Sequence, residues 1–198
     1  MSRPVILVHG IDDTVARLHH LQKYLEAGGL AVHCFNLVPN HGEAPLAELA
    51  QQLAEYVQAN FAAQEAIDLV GFSMGGLVSR FYIQRLGGIR RVRKFISIAT
   101  PHRGTGTAYL RNNPGAQNMR PGSVFLKDLN RDVAMLSTLS FTSIWTPLDL
   151  MILPANSSCL PVGQSVRVWS WAHPLLVRDP HVLKLVLGIL KDHQVIGS

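Results

Sequence analysis

One serine of the chain stands in a pattern that presents a hydroxyl for nucleophilic chemistry. The segment Gly71-Phe72-Ser73-Met74-Gly75 follows an apolar run and precedes a stretch with the apolar spacing of a helix. A serine on such a strand-to-helix turn lies at the top of a parallel sheet, on strained backbone. Gly71 and Gly75 have no Cβ and leave room where the strand and the helix pass close together. The pattern predicts that Ser73 is a nucleophile.

A serine hydroxyl is inert at neutral pH unless a base accepts its proton, and the base needs a carboxylate to orient it. On a turn of this kind the acid and then the histidine follow the serine along the chain. In an open parallel sheet these groups lie at the carboxyl ends of strands. Asp149 follows the strand predicted over residues 141–146, and His173 follows the strand predicted over residues 165–171. We expect Asp149 and His173 to complete a catalytic triad with Ser73.

Other carboxylates of the chain are weaker candidates for the acid. Asp128 and Asp132 lie in a predicted helix, with the spacing of surface residues. The alternative interpretation of Asp149 is a simple turn aspartate, because aspartate is common in turns.

Two other histidines compete for the position of the base. His102 precedes the acid, which breaks the expected order of the triad. His181 is the stronger rival, although it follows Asp179-Pro180, a pair that predicts the first turn of the last helix. The assignment of the base to His173 or to His181 stays open at this point.

Two backbone amides are candidates for an oxyanion hole. The Met74 N–H lies at the N-terminus of the helix that follows the serine, where it can stabilise developing negative charge. Val8-His9-Gly10-Ile11 leaves the first predicted strand through a glycine turn, which brings the Ile11 N–H near the serine. We expect Ile11 and Met74 to donate to the oxyanion and His9 and Gly10 to support the turn.

Strand and helix patterns alternate along the whole chain. This alternation predicts an α/β fold, with a doubly wound, mostly parallel sheet of about six strands flanked by helices, in one domain over residues 1–198. Residues 101–122 are rich in Gly, Pro, Asn and Arg and are expected to be a long loop. The region 101–140 is too short for a large cap domain. The patterns predict strands over 4–8, 31–38, 66–70, 95–100, 141–146 and 165–171, and helices over 14–28, 46–61, 74–86, 123–136 and from 180 onward.

Composition excludes several other classes of protein. Of the 198 residues, 47% are hydrophobic and 16% are charged, which argues against disorder. No apolar stretch reaches the roughly 18 residues of a membrane-spanning helix. The first residues, Met1 to Pro4, lack the pattern of a signal peptide, so we expect a cytoplasmic protein. No residues have metal-ligand spacing, and neither a metal nor another cofactor is expected.

The net charge is +5, and the densest cluster of positive charge is Arg90-Arg91-Val92-Arg93-Lys94. This cluster either attracts anionic lipid head groups or is a solvated rim of the sheet, and the second interpretation is favoured. No nucleic-acid-binding motif accompanies it.

On these motifs the chain resembles the small bacterial lipases and esterases of the α/β-hydrolase superfamily. The resemblance implies that Ser73 attacks an ester carbonyl, that His173 accepts its proton and that Asp149 orients the imidazole. It also implies that the amides of Ile11 and Met74 hold the tetrahedral intermediate. The matching segments are Val8-His9-Gly10-Ile11, Gly71 to Gly76, Thr100-Pro-His-Arg-Gly-Thr105, Asp149, and His173 with Leu175-Leu176.

The implied substrates are acyl esters, glycerolipids among them. Acyl transfer or thioester hydrolysis by the same triad is an alternative, and a non-catalytic lipid-binding module is another. A set of apolar side chains in residues 123–136 either contacts a lipid surface or packs its helix on the sheet; these are Phe125, Leu126, Leu129, Met135 and Leu136.

Overall fold

Six strands form one sheet in which every pairing is parallel. The computed structural model describes residues 3–192, so both ends of the domain expected over residues 1–198 lie outside the described residues. The strands are β1 (Val5–Val8), β2 (Val32–Phe35), β3 (Ile67–Phe72), β4 (Val92–Ile98), β5 (Ser140–Trp145) and β6 (Gln164–Arg167). Their order in the sheet is β2-β1-β3-β4-β5-β6, which confirms the predicted fold class.

Helices cover both faces of this sheet. The α-helices are α1 (His19–Ala27), α2 (Leu46–Asn60), α3 (Met74–Arg85), α4 (Pro114–Met119), α5 (Val124–Arg131) and α6 (Pro180–Lys191). Two apolar cores result, one between the sheet and α2, α3 and α5, and the other between the sheet and α1 and α6. Short 3₁₀ helices lie at Val15–Leu18, Gly88–Arg90, Gly106–Leu110, Val133–Thr138, Ala155–Ser158 and His173–Arg178.

The expectation of a long loop over residues 101–122 is wrong. A 3₁₀ helix, Gly106–Leu110, and then α4 lie within it. Asn113 caps α4, since its side chain accepts the Ala116 N–H, and Pro114 occupies the first turn. A capping residue followed by proline is a helix-start signal, and here it lies within a stretch whose composition is typical of loops.

Several predicted elements are shorter than expected, among them the strand predicted over residues 31–38, which covers only Val32–Phe35. The helix predicted over residues 123–136 ends at Arg131, because Asp132 leaves helical geometry with φ −122° and ψ 35°. The strand predicted over residues 165–171 ends at Arg167. Beyond it the chain bends, and the Thr146 hydroxyl donates to the Ser170 carbonyl over 2.9 Å. Backbone pairing continues only to Val168, whose N–H donates to the Trp145 carbonyl over 2.8 Å, and the side-chain hydrogen bond then holds the segment.

The backbones of β1, β3 and α3 come into direct contact beneath Ser73. A Cβ built on Gly75 would lie 2.3 Å from the Val8 carbonyl oxygen and 2.4 Å from that of His9. A Cβ built on Gly71 would lie 2.5 Å from the Gly76 Cα. Only glycine permits this crossing, because the obstructing atoms are backbone that cannot move aside.

The basic cluster at residues 90–94 lies at the start of β4, at the opposite edge of the sheet from Ser73. Arg91 donates to the Ala62 carbonyl over 2.7 Å, and Lys94 donates to the Leu190 carbonyl over 3.1 Å. These two side chains therefore bind the backbone of neighbouring segments, and Lys94, which is 5% exposed, does not belong to a solvated rim. Within residues 3–192 no helix is both long enough and apolar enough to span a bilayer.

Substituting Gly75→Ala tests the backbone crossing. We expect a loss of about 3 kcal/mol in the free energy of unfolding, because the new methyl group overlaps the carbonyl oxygens of Val8 and His9. The measurement is urea unfolding followed by circular dichroism. Gly188→Ala is the matched control: a Cβ there meets nothing within 4 Å, so about 0.5–1 kcal/mol of stabilisation is expected. Equal stability of Gly75→Ala and the unmodified chain would contradict the crossing.

Candidate active site

Ser73 occupies a strained turn between β3 and α3. Its backbone has φ 53° and ψ −124°, a region that residues with a Cβ rarely adopt and that costs about 1–3 kcal/mol. The surrounding backbone holds this conformation. The Ser73 N–H donates to the Ile98 carbonyl over 2.8 Å, and the Gly76 N–H donates to the Ser73 carbonyl over 3.0 Å. The side chain therefore projects from a rigid turn at the carboxyl edge of the sheet.

The loop after β1 passes directly over this serine. A Cβ built on Gly10 would lie 3.0 Å from the Ser73 Cβ, and Ile11 lines the same cavity as Ser73. Met74 is the first residue of α3, so its N–H is one of the helix amides without an acceptor in its own helix. The residues expected to supply the two oxyanion donors thus flank Ser73 on both sides.

His9 fixes the loop after β1 and is not available as a base. It is fully buried; its Nδ1–H donates to the Gly10 carbonyl over 2.8 Å, and its Nε2 accepts the Leu37 N–H over 2.9 Å. Burial lowers the pKa of this imidazole below its ordinary value, which favours the neutral form. Both nitrogens are occupied by backbone groups, consistent with the supporting role expected of His9.

Asp149 and His173 form a buried pair. Asp149 Oδ2 and His173 Nδ1 are 2.7 Å apart, and the two residues are 3% and 6% exposed. The second oxygen, Oδ1, accepts the N–H groups of Met151 and Ile152 over 2.8 and 2.9 Å. The carboxylate is thus held by three donors. Because Nδ1 faces the carboxylate, Nε2 is the nitrogen left to accept a proton.

The ring of His173 lies beside the turn that carries Ser73. Its centroid is 4.9 Å from that of Phe72, the residue before the serine, and the ring planes are inclined by 37°. Phe72 ends β3, and His173 begins the 3₁₀ helix after β6. Segments a hundred positions apart along the chain therefore meet at one edge of the sheet.

The rival residues lie elsewhere. The side chain of His181 is 94% exposed on the first turn of α6, where its Nδ1 is 3.6 Å from Asp179 Oδ1. His102 is buried, and its Nε2 is 2.9 Å from the Ser97 hydroxyl. Asp128 and Asp132 each contact Arg85 over 2.7 Å. The structure thus pairs Asp149 with His173 and not with His181.

An apolar cavity of about 180 Å³ opens next to Ser73. Much of the cavity wall comes from residues 105–119. The Thr100–Thr105 motif marks the start of this region in the sequence, but no sequence pattern predicts that the region lies beside Ser73. The lining residues are Ile11, Asp12, Ser73, Thr105, Thr107, Ala108, Leu110, Arg111, Ala116, Met119, Met151 and Ile152.

The apolar side chains of residues 123–136 pack against the sheet. Leu126, Leu129 and Leu136 are buried, and Phe125 stacks on Phe81 with 5.4 Å between ring centroids. Of the two interpretations left open for this set, the packing role is the one observed.

Within the described residues no group of three or more His, Cys, Asp or Glu side chains could hold a metal ion.

Known proteins share this architecture. A triacylglycerol lipase of Pseudarthrobacter phenanthrenivorans is 34% identical over 110 residues, which are 52% of this chain and 34% of that protein. Lipase B of Aspergillus fumigatus superposes with a TM-score of 0.82 and 18% identity, over 96% of this chain and 53% of that one. The mature lipase BlEst2 of Bacillus licheniformis gives a TM-score of 0.79 and 15% identity, over 96% and 92% of the two chains.

These likenesses confirm the expected resemblance to lipases and esterases of the α/β-hydrolase superfamily. The chain spans about a third of the length of the curated relatives it matches, from 30% to 39%. The profile of the palmitoyl protein thioesterase family matches residues 4–112, which include the loop after β1, the Ser73 turn and part of the cavity wall. Because this match extends over more than half of the 198 residues, the chain belongs to the palmitoyl protein thioesterase family.

Proposed function

We propose that this protein is a serine carboxylic ester hydrolase of the lipase and esterase type, which cleaves acyl esters through an acyl-enzyme on Ser73. The observation that carries the proposal is the buried Asp149–His173 pair packed against the residue before a strained serine. The single domain over residues 1–198 is part of the proposal, and the cytoplasmic location stays a prediction.

The proposed reaction uses only groups of the chain, the ester and water. His173 Nε2 accepts the proton of the Ser73 hydroxyl as the oxygen attacks the ester carbonyl, while Asp149 stabilises the imidazolium. The N–H groups of Ile11 and Met74 donate to the oxyanion of the tetrahedral intermediate. The imidazolium returns its proton to the departing alcohol. Water then attacks the acyl-enzyme by the same route, which releases the acid and restores Ser73.

The cavity beside Ser73 supports an acyl chain as the substrate group. Its two threonine hydroxyls are bound to the protein, since Thr105 and Thr107 both donate to the Met151 carbonyl, over 2.9 and 2.6 Å. The wall they leave is largely aliphatic, with methionine and leucine side chains. Such a wall favours a flexible apolar chain over a polar group.

Thioester hydrolysis is a second candidate, favoured by membership of the palmitoyl protein thioesterase family. An oxygen ester and a thioester of the same acid give the same acyl-enzyme, so the triad serves both. The ratio of kcat/KM for matched octanoyl esters and thioesters separates the two. Acyl transfer is distinguished by adding an acceptor alcohol and analysing the products.

Large apolar side chains are exposed on segments that follow β4, β5 and β6, and we call this set the apolar rim. It is formed by Tyr109, Leu110, Leu150, Met151, Trp169 and Trp171, all large and strongly exposed. The rim segments are joined by hydrogen bonds: Gly106 N–H donates to the Leu153 carbonyl over 2.8 Å, and the Thr146 hydroxyl donates to the Ser170 carbonyl. Leu110 and Met151 belong to both the rim and the cavity wall.

We infer that the apolar rim contacts the surface of aggregated lipid during turnover. Tryptophan side chains prefer the boundary between water and lipid, because the ring is apolar and its N–H can remain hydrated. Arg167 lies over the Trp169 ring at 5.4 Å and adds positive charge beside it. An acyl chain that leaves the lipid at this rim passes over Leu110 and Met151 directly into the cavity.

Ser73→Ala tests the nucleophile. We expect ester hydrolysis to fall by about 10⁶ in kcat, because the attacking oxygen is gone. The fold should be retained, since alanine is smaller than serine at the same backbone position. Hydrolysis of p-nitrophenyl butyrate and the far-ultraviolet circular dichroism spectrum are measured together. Full activity in the variant would exclude Ser73 as the nucleophile.

Covalent labelling by a fluorophosphonate tests the base. The probe should modify Ser73 in the unmodified chain, and His173→Ala should lose labelling because no base accepts the serine proton. His181→Ala is the matched control and should label normally, since its imidazole lies in solvent. Labelling is followed by in-gel fluorescence. Loss of labelling in His181→Ala but not in His173→Ala would reassign the base.

Trp171→Ser tests the apolar rim. We expect affinity for phosphatidylcholine vesicles to fall about ten-fold, with turnover of a soluble butyrate ester unchanged, because the side chain contacts lipid and not Ser73. Vesicle co-sedimentation and soluble-ester kinetics are the two measurements. The control is Val124→Ser on α5, where 85% exposure matches the 84% of Trp171 and the residue lies outside the rim segments. Equal vesicle affinity in both variants would contradict the inference that the apolar rim contacts lipid.

A further inference from the structure

Asp12 adopts a strained conformation directly after Ile11. Its φ is 59°, in the left-handed region that residues other than glycine avoid, although aspartate tolerates it better than most. Its N–H donates to the Asn40 carbonyl over 2.8 Å. The peptide of the proposed oxyanion donor therefore precedes a residue whose backbone is fixed in an unusual geometry.

The carboxylate of Asp12 joins two cationic or polar side chains from other segments. Oδ1 lies 2.9 Å from His41 Nδ1, and Oδ2 forms an ion pair with Arg111 Nη2. The hydrogen bond from Arg111 is the main reason that the pKa of Asp12 lies below its ordinary value, with His41 contributing in the same direction. Asp12 is thus ionised at neutral pH and accepts from both partners.

Both partners are themselves anchored. Asn113 Nδ2 donates to the His41 carbonyl over 2.8 Å, and Arg120 Nη2 donates to the Arg111 carbonyl over 2.9 Å. A Cβ built on Gly42 would lie 3.0 Å from Ile11 Cδ1, so the segment after His41 also packs against the Ile11 side chain. The loop after β1 is therefore held against two segments that carry no proposed reacting group.

We propose that Asp12 is a positioning residue, whose carboxylate, held by Arg111 and His41, fixes the Ile11 peptide with its N–H directed at the oxyanion. This rests on the proposed function, because it gives the Ile11 amide a role only if Ser73 forms a tetrahedral intermediate. Asp12 and Arg111 also line the cavity, so one ion pair connects the cavity wall with the loop after β1.

Catalysis and global stability should respond differently to loss of this pair. Removal of one oxyanion donor costs about 10²–10³ in kcat, and a displacement of about 1 Å can cost about 10². An ion pair between partly exposed side chains contributes little to folding. A merely structural role would lower the melting temperature, whereas a positioning role lowers kcat and leaves the fold intact.

The test compares Asp12→Gly and Asp12→Asn with the unmodified chain on a soluble butyrate ester. Glycine keeps the left-handed backbone and removes the carboxylate, so kcat should fall by about ten-fold or more while KM changes by less than about two-fold. Asparagine tolerates the same backbone and still accepts a hydrogen bond, so its kcat should be intermediate. Affinity for an alkyl trifluoromethyl ketone, which forms an oxyanion on Ser73, should fall with kcat/KM.

Arg111→Met removes the other member of the same ion pair, and it still tests the proposal if an Asp12 variant folds poorly. Its kcat should fall similarly, and adding Asp12→Asn to Arg111→Met should cost little more, because the pair acts as a unit. The matched control is Arg131→Gln, which breaks the exposed Arg131–Asp128 ion pair on α5 and should leave kcat unchanged.

Unchanged kcat and unchanged ketone affinity in both Asp12→Gly and Arg111→Met would overturn the positioning role, provided that the unmodified chain hydrolyses the ester through Ser73. Fully additive losses in the double variant would also overturn it. Absence of any Ser73-dependent hydrolysis in the unmodified chain would instead reject the proposed function, so the two failures are distinguishable.

Discussion

The contact between three backbones beneath Ser73 is the constraint on which the rest of the site depends. Gly71 and Gly75 allow β3, α3 and β1 to approach without side chains between them. Their approach holds Ser73 at φ 53°, a conformation that an isolated turn would leave. It also brings the loop after β1 over the serine, so that the proposed nucleophile and a proposed oxyanion donor are positioned by the same contact.

The other residues of the candidate site, Asp149 and His173, follow strands that lie further along the sheet than β3. β4 and β5 lie between β3 and β6, so Asp149 and His173 are carried on strand ends beyond the serine. Asp149 lies in the loop after β5, where the Met151 N–H binds its carboxylate, and His173 follows the loop after β6, where the Thr146 hydroxyl binds the Ser170 carbonyl. A parallel sheet supplies this arrangement, since all its strands end at one edge.

The local patterns of the chain predict the fold and much of the site, because each depends on short-range signals. The alternation of strands and helices predicts the parallel sheet, and the order of Ser73, Asp149 and His173 predicts which strand ends carry them. The cavity wall is different: residues 105–119 face Ser73 through contacts with Met151 and Leu153, more than forty positions away in the chain. The periodicity of apolar residues along the sequence does not indicate contacts between such distant segments. The Asp12–Arg111 pair is equally invisible, since it joins two loops about a hundred positions apart.

The proposed mechanism requires that an acyl group is transferred to the Ser73 oxygen during turnover. The most direct measurement is acid quenching of the enzyme within milliseconds of mixing with p-nitrophenyl octanoate, followed by mass spectrometry of the peptides. We expect one octanoyl group per chain, on the peptide that contains Ser73, in proportion to a burst of p-nitrophenol. Steady hydrolysis with the octanoyl group on another residue, or with no acylated peptide under conditions that show a burst, would exclude Ser73 as the site of acylation.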